Sequence, residues 1–323
     1  MNSSRNSAVE VRDLEKRFGS FAAVNRISFR VAPGRIFGFL GPNGAGKSTT
    51  IKMLCGILAP TSGSGTVGGF DILTQQNKIK QNIGYMSQRF SLYEDLTVEE
   101  NVNFYAGIYG LSREKKKARK EWIIHMAGLE KLRSSLTRTL SVGWKQRLAL
   151  GCAIIHEPPI IFLDEPTSGV DPISRGNFWD LIRAMADKGT TIFVTTHYMD
   201  EAEHCDSIAL IYKGAIIASG TPPELKTDFM KGDVLKISLP DSQQWLERLA
   251  ALPVVTESAL FGSDIHAVVS DAAAASPLIR QFLDQYTVGG YIINEIEPSL
   301  EDVFVSLIEN YDRENGKNEP DKS

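Results

Sequence analysis

The sequence predicts an α/β fold built on a parallel sheet and followed by a smaller α+β domain. Three observations lead to this prediction. A short apolar run, Ile36–Leu40, precedes a glycine-rich loop and then apolar residues at helical spacing. Two further apolar runs, 160–163 and 192–194, are bounded by polar residues, which is typical of strands buried on both faces of a parallel sheet. After residue 223 the pattern changes to strand, helix, strand, strand, helix, strand.

Length and composition indicate an ordinary globular protein. The 323 residues exceed the usual span of one core, which favours a large domain and a smaller one. No apolar stretch approaches the roughly 20 residues of a membrane-spanning helix, and the first residues lack the apolar core of a signal peptide. We therefore expect a cytoplasmic protein. The net charge of -4 argues against sequence-independent binding of nucleic acid.

The first predicted domain spans 8–225, after a flexible N-terminus at 1–7. It opens with two half-buried antiparallel strands, in which apolar and polar residues alternate. These strands are expected to form an edge sheet beside the parallel core. The residues that carry the alternation are Val9, Val11, Ile27, Phe29 and Val31.

A mostly helical segment, about 90–155, interrupts the alternation of strands and helices. We interpret it as a helical subdomain inserted in the α/β domain. It contains one strongly basic run, Arg113–Lys120. This run is either a solvated helix face or a contact with anionic lipid headgroups.

The second predicted domain spans 226–311 and ends before a flexible tail at 312–323. Its order of elements resembles the split βαβ arrangement of a small ferredoxin-like domain. A final helix is predicted from Leu300 to Glu309, with Ser299 as its N-cap and Asp302 at the third helical position.

The glycine-rich loop has the GxxxxGK[ST] pattern and lies between a buried strand and a helix, as its mechanism requires. Backbone N–H groups of such a loop surround phosphates, and the helix N-terminus adds positive potential. Lys47 is expected to reach the β- and γ-phosphates, and the Ser48 hydroxyl to bind Mg²⁺. The residues assigned to phosphate binding are Gly41, Pro42, Asn43, Gly44, Ala45, Gly46, Lys47, Ser48 and Thr49.

Two carboxylates, Asp164 and Glu165, follow the buried run 160–163. Ligands of open α/β sheets bind at the carboxyl ends of the strands. We expect Asp164 to hold Mg²⁺, and Glu165 to polarise the water that attacks the γ-phosphate. Taken alone, the pair would more often be strand-end acids facing solvent; the phosphate loop favours the catalytic interpretation.

With these motifs placed, residues Val9 to Pro223 strongly resemble the nucleotide-binding domain of ABC transporters. The resemblance rests on further motifs in the expected order. It implies that the side chains in these motifs sense Mg²⁺, contact the γ-phosphate, close over a partner's ATP or stack on adenine. The matching residues are Phe18 (adenine stacking), Gln88 (Q-loop glutamine, a ligand of Mg²⁺), Ser141, Val142 and Gly143 (signature), Asp171 (D-loop) and His197 (switch).

The signature departs from the family's LSGGQ at two positions. Val142 stands where glycine is usual, and Trp144 where glutamine is usual. Because a β-branched residue does not adopt positive φ cheaply, we expect the signature loop to pack differently against phosphate. Phe18 replaces the commoner tyrosine and keeps the stacking surface.

The resemblance implies an ATPase subunit that uses ATP and Mg²⁺ and pairs with a second nucleotide-binding subunit, identical or homologous. The segments 93–101 and 297–304 are most similar to the ATPases of ABC-2-type exporters. The expected partners are therefore separate ABC-2-type permeases, with no specific nucleic acid. The expected location is the inner face of the cell membrane, as a peripheral protein.

Two alternatives remain open. The first is a soluble ABC-type ATPase acting on ribosomes or DNA. Such proteins usually carry two ATPase domains, a long heptad insertion or zinc-binding cysteines, and the sequence has none of these features. The second is a regulatory subunit that binds nucleotide without hydrolysing it. Retention of Lys47, Asp164, Glu165 and His197 argues against that alternative.

Overall fold

The computed structural model describes residues 7–286 and 288–315. The chain divides into two compact units, Met1–Ser219 and Gly220–Ser323, where the sequence placed the boundary at 225/226. The expected flexible segments lie outside the described residues at 1–6 and 316–323. Residues 312–315, which were also expected to be flexible, continue the last helix.

The first unit combines a parallel sheet, an antiparallel sheet and a helical subdomain. Its elements in chain order are β1 (Val9–Phe18), β2 (Phe21–Val31), β3 (Ile36–Leu40), α1 (Lys47–Leu54), β4 (Ser62–Val67), β5 (Phe70–Asp71), α2 (Gln76–Asn82), β6 (Ile83–Met86), α3 (Val98–Ile108), α4 (Arg113–Met126), α5 (Val142–Ala153), β7 (Ile160–Asp164), α6 (Pro172–Ala186), β8 (Thr191–Thr196), β9 (Ser207–Tyr212) and β10 (Ala215–Gly220).

The core sheet has the strand order β10-β9-β3-β8-β7-β6. Strands β6, β7, β8, β3 and β9 run parallel to their neighbours in this order. Every residue of β3, β7 and β8 is buried, which explains why these strands are continuous apolar runs in the sequence. The predicted parallel core is confirmed, and its strands end at one common edge.

The antiparallel sheet has the order β2-β1-β4-β5. Strands β1 and β2 are longer than predicted, because they continue to Phe18 and from Phe21 around a two-residue turn. Register shifts occur between Val11 and Leu14 and between Leu14 and Lys16. These irregularities break the alternation of apolar and polar residues, so the sequence pattern faded before the strand ended.

The helical subdomain consists of α3, α4 and α5. Helix α3 begins with a capping box, in which Thr97 and Glu100 satisfy each other's backbone N–H groups. The basic run lies in α4. Three of its six cations form ion pairs: Lys115 and Arg119 with Glu157, and Lys120 with Glu99. Contact of the run with lipid stays a prediction.

The second unit contains a four-stranded antiparallel sheet and helices. Its first helix, α7 (Pro222–Phe229), was not predicted; Thr221 caps it, and proline is favourable in a first helical turn. The elements are α7 (Pro222–Phe229), β11 (Asp233–Ser238), α8 (Ser242–Ala250), β12 (Val255–Phe261), β13 (Asp264–Val269), α9 (Ala272–Gln285), β14 (Ile292–Ile296) and α10 (Leu300–Asn315).

The strand order of this unit, β12-β13-β11-β14, is that of the split βαβ arrangement. One core joins the sheet to α8 and α9. In a smaller cluster, Val303 of α10 packs with Val234 of β11 and with Met230, which follows α7. Asp302 accepts hydrogen bonds from Ser299 N and Oγ, which fixes the start of α10 as the sequence predicted. Helix α10 continues beyond Glu309, where Arg313 pairs with that residue at i,i+4. Within the described parts of both units, no helix has the length and apolar character needed to cross a membrane.

Candidate functional site

The glycine-rich loop joins β3 to α1 at the carboxyl edge of the core sheet. Gly46 is the N-cap of α1 with φ of 108°, a conformation that side chains disfavour. A Cβ atom would lie 2.4 Å from Ala23 O at Gly46 and 2.1 Å from Ile211 O at Gly41. The loop therefore passes too close to neighbouring backbone for any larger residue. The first N–H groups of α1 have no partner within the helix and point at the space that the loop encloses.

Lys47 places its ammonium group inside this loop. Its Nζ donates hydrogen bonds to Gly41 O at 2.7 Å and to Pro42 O at 3.0 Å. It also forms an ion pair with Glu165 Oε1 at 3.1 Å, and both side chains are less than 10% exposed. A charge held this firmly in a buried position is suited to an anionic ligand that can replace the carboxylate.

Asp164 is the last residue of β7 and is held by two hydroxyl groups. Its Oδ1 accepts hydrogen bonds from Ser48 Oγ at 2.9 Å and from Thr195 Oγ1 at 2.8 Å. Burial raises the pKa of Asp164, the two hydroxyl donors lower it, and the negative charge of Glu165 raises it further. Burial is the largest of these effects, so the ionised carboxylate is disfavoured at this position.

Glu165 lies next to the strand end with a left-handed backbone, φ of 47°. Its N–H donates to both Thr195 O and Thr195 Oγ1, at 3.1 and 3.0 Å. Its Oε2 accepts from Gln88 Nε2 at 2.9 Å. Thr195 thus holds the backbone of Glu165, while Lys47 and Gln88 hold its carboxylate.

His197 follows β8 and approaches the same carboxylate. Its Nδ1 lies 3.4 Å from Glu165 Oε2. This nitrogen is buried and makes no hydrogen bond within the described residues. The nearest charged group to this nitrogen is therefore the Glu165 carboxylate, just beyond the usual length of a hydrogen bond.

Lys47, Gln88 and Glu165 line a cleft of about 510 Å³, which we call the loop cleft; Asp164 and His197 are not among its lining residues. Residues of the glycine-rich loop line one part of the cleft, and the aromatic side chains of the β1–β2 hairpin line another. Phe18 is 53% exposed, and Lys16 Nζ lies 5.2 Å from the centre of its ring. The lining residues are Phe18, Phe21, Ala23, Asn43, Gly44, Gly46, Lys47, Ser48, Thr49, Gln88 and Glu165.

The signature residues and Asp171 do not line the loop cleft. Ser141 is the N-cap of α5, and Asp171 is the N-cap of α6, where its side chain accepts from Ser174 N. A Cβ atom on Gly143 would lie 2.9 Å from Ser174 Oγ, so the starts of α5 and α6 touch. These predicted residues therefore form a second, separate surface of the first unit.

The backbone at Val142 removes the premise on which altered packing was expected, while the packing of the signature against phosphate stays a prediction. Val142 is the first residue of α5 and does not have positive φ. Its side chain is 46% exposed. Because Val142 has helical backbone angles, valine fits this position, where it adds an exposed apolar side chain to the surface.

Sequence reasoning missed two residues of the site. Thr195 holds both Asp164 and the backbone of Glu165; it pairs with Asp164 in the parallel register of β7 and β8, and a sequence signal for it was its position two residues before His197. Phe21 lines the loop cleft opposite Phe18 across the β1–β2 turn. Its signal was a second aromatic residue directly after the turn.

Comparisons with known proteins agree on one family. The family model described as ABC transporter matches residues 24–168. The chain is 54% identical over 223 residues to the probable multidrug ABC transporter ATP-binding protein YbhF of Escherichia coli K12. The matched segment covers 68% of this chain and 38% of that protein. The chain thus spans well under half the length of that relative.

Two further comparisons cover most of the length of the matched protein. The chain is 36% identical over 302 residues to the Nod factor export ATP-binding protein I of Rhizobium etli, which covers 93% of both chains. A solved dimeric structure of an ATP-binding cassette, in a post-hydrolysis state bound to ADP and Pi, superposes with a TM-score of 0.61. That match has 25% identity and covers 66% of this chain and 98% of that one.

Proposed function

Because the chain belongs to the ABC transporter family of ATP-binding proteins, we propose that it binds and hydrolyses ATP to energise export through separate membrane permeases. The observation that carries this proposal is the position of Glu165. Its carboxylate contacts Lys47 of the phosphate loop and Gln88 at the end of β6, so a carboxylate, a phosphate-binding cation and a polar sensor converge on one point.

The phosphate loop binds the triphosphate in this proposal. The N–H groups of Asn43, Gly44 and Gly46 and of the start of α1 bind phosphate oxygens in this proposal, since those of Gly41 and Ala45 donate to Thr196 O and Pro42 O. Lys47 exchanges Glu165 for the β- and γ-phosphates, which keeps its charge paired. Thr49 lines the same end of the cleft. Phe18 supplies an exposed ring for the adenine.

The residues present fit a magnesium ion. Ser48 Oγ and Asp164 Oδ1 lie 2.9 Å apart, and both are oxygen donors of the type Mg²⁺ prefers. Gln88 uses its Nε2 for Glu165, which leaves its amide oxygen for the ion. Burial of the charged Asp164 is compensated when a cation is near. Ser48, Asp164 and Gln88 would hold the ion, and its positive charge would offset the negative charge of the triphosphate.

Glu165 is the proposed base. It takes a proton from the water that attacks the γ-phosphorus, while the bond from that phosphorus to the bridging oxygen breaks and leaves ADP and phosphate. The hydrogen bond from Gln88 orients the carboxylate. In this proposal His197, whose Nδ1 lies 3.4 Å from Glu165 Oε2, contacts the γ-phosphate of the bound nucleotide.

A second nucleotide-binding subunit completes the site. The signature residues Ser141, Val142 and Gly143 and the D-loop residue Asp171 lie outside this chain's own cleft, so a partner copy would use them to close over the bound nucleotide. The similarity to a dimeric solved cassette supports this arrangement. ATP favours the closed pair, and loss of the γ-phosphate removes that preference.

The proposed partners are ABC-2-type permeases at the inner face of the cell membrane. The names of two similar proteins support export, one as a multidrug ABC transporter protein and one as a Nod factor export protein. Both names concern those proteins, and the cargo of this chain is open.

The test is a pull-down from detergent-solubilised membranes, with tagged Glu165→Gln in ATP and Mg²⁺. Polytopic membrane proteins should co-purify and identify the permease. The matched control carries Lys47→Ala in addition and should lose nucleotide-dependent partners. Recovery of ribosomal or DNA-bound material alone would reject the transporter proposal in favour of a soluble ATPase.

A further inference from the structure

Two phenylalanines stand at the tip of the hairpin formed by β1 and β2. Phe18 ends β1 and Phe21 begins β2, with Gly19 and Ser20 as the turn. The two residues are direct partners in the antiparallel register. Directly opposed residues project their side chains from the same face of a sheet. Both phenylalanines therefore point to one side of the hairpin.

That side is the loop cleft. Phe18 and Phe21 both line it, and they are 53% and 63% exposed. Two large aromatic side chains left this open at the mouth of a cleft lose favourable burial that a flat ligand would restore. The Lys16 ammonium lies over the Phe18 ring and is itself fixed by a hydrogen bond to Ala59 O at 2.7 Å.

The aromatic end of the cleft contrasts with its other end. Near Lys47 and Ser48, polar and charged groups converge. At the hairpin, the lining side chains are Phe18, Phe21 and Ala23, and none of them can donate or accept a hydrogen bond. A ligand that spans both ends therefore has an anionic tail and a flat, apolar-faced head.

We infer that Phe21 is a second aromatic contact for the nucleobase and ribose of a purine nucleotide, beside the ring of Phe18. This inference rests on the proposed function, because it assumes that the phosphates occupy the loop. Phe21 acts by stacking and apolar contact, so it strengthens binding without reading the edge of the base. It is a binding residue and takes no part in proton transfer.

Calorimetric titration of the full chain with Mg·ADP and with Mg·GDP tests the inference. Phe21→Ala should weaken binding of both nucleotides by about fivefold or more, since losing one aromatic side chain that stacks on a base reduces affinity by at least that factor. The loss should be equal for the two bases, because the side chain makes no hydrogen bond to either. Phe21→Trp should keep parental affinity.

Matched variants separate the explanations. Leu73→Ala removes another exposed apolar side chain of the first unit, 45% exposed and outside the cleft, and should bind as the parent does. Lys47→Ala should weaken binding through the phosphates. If the parent binds neither nucleotide, or Lys47→Ala binds as well as the parent, the proposed function fails.

Two results would overturn the role of Phe21 while leaving the proposed function intact. One is parental affinity in Phe21→Ala alongside weakened binding in Lys47→Ala. The other is an equal loss in Phe21→Ala and Phe21→Trp with a lowered thermal midpoint in both, which would make Phe21 a structural residue of the hairpin. A loss confined to one of the two bases would contradict stacking as the mode of contact.

Discussion

The single residue on which most of the site depends is Glu165. A left-handed backbone at a non-glycine residue costs about 1–3 kcal/mol and persists only where the surroundings enforce it. Here the enforcing contacts are the two hydrogen bonds from its N–H to Thr195. The conformation turns the carboxylate back toward Lys47, where an extended chain would carry it away from the loop.

Glu165→Gln should bind ATP with parental or higher affinity and lose turnover by about a hundredfold or more, the usual contribution of a general base. Glutamine cannot keep the ion pair that competes with phosphate for Lys47. Calorimetric ATP titration and phosphate release check both parts. Glu247→Gln, an exposed acid of α8, serves as the control. Hydrolysis at the parental rate in Glu165→Gln would remove this residue from its assigned role.

Asp164 is expected to lower the stability of the fold while being needed for Mg²⁺-dependent hydrolysis. Burial raises the pKa of Asp164 above its ordinary 3.8, so the ionised form is disfavoured in the folded state. This penalty is complete above the folded-state pKa and disappears below 3.8. Asp164→Asn removes the penalty.

Asp164→Asn should therefore raise the free energy of unfolding at neutral pH, and the gain should shrink as the pH falls toward 3.8. The same variant should lose Mg²⁺-dependent hydrolysis. Urea unfolding across this pH range, without nucleotide, is the measurement. A gain that grows on acidification would show that the sign assigned to the burial effect is wrong.

At the scale of elements, Asn101 of α3 joins the segment after the Q-loop to the rest of the helical subdomain. It is fully buried; its Oδ1 accepts from Tyr93 N, and its Nδ2 donates to Tyr93 O and to Thr137 Oγ1. The sequence predicted a helical subdomain over 90–155 but offered no signal for this connection. A buried asparagine is identified only once its partners are adjacent.

Asn101→Ala should lower the free energy of unfolding by about 2 kcal/mol or more, because several buried polar groups lose their partner. Asn177→Ala is a suitable control: Asn177 is exposed in α6 and donates only to its own helix at Ile173 O. That control should change stability by less than about 0.5 kcal/mol. Chemical denaturation of both variants checks the difference, and similar values would deny Asn101 its connecting role.

At the scale of the whole molecule, every residue that lines the loop cleft belongs to the first unit. The second unit has its own core, in which Ile279 of α9 is fully buried. Nucleotide binding should therefore be insensitive to the packing of the second unit.

Ile279→Ala in the full chain should cost about 2–5 kcal/mol of local stability through the cavity it leaves. Hydrogen exchange should then accelerate in β11 and β13, while the affinity for Mg·ADP stays at the parental value. Ile51→Ala, an equally buried change in α1 beneath the phosphate loop, should lower that affinity. Weakened binding in Ile279→Ala would show that the second unit supports the site.

The sequence by itself determined the parts of this protein that depend on consecutive residues. The phosphate loop is specified by glycines at fixed spacing, because only glycine fits where backbone approaches so closely at Gly41 and Gly46. The buried parallel strands are specified by continuous apolar runs. The acid pair follows directly from the end of one such run.

Only the tertiary structure decided which distant residues meet. Strands β6, β7 and β8 pair side by side although long segments separate them in the chain, and β3 pairs with β8 and β9 rather than with its neighbours in chain order. The contacts of Glu165 with Gln88 and Thr195 therefore depend on sheet order and register. The register shifts in β1 were likewise hidden. A local pattern reports the conformation of adjacent residues, whereas the pairing of segments is set by how all of them pack together.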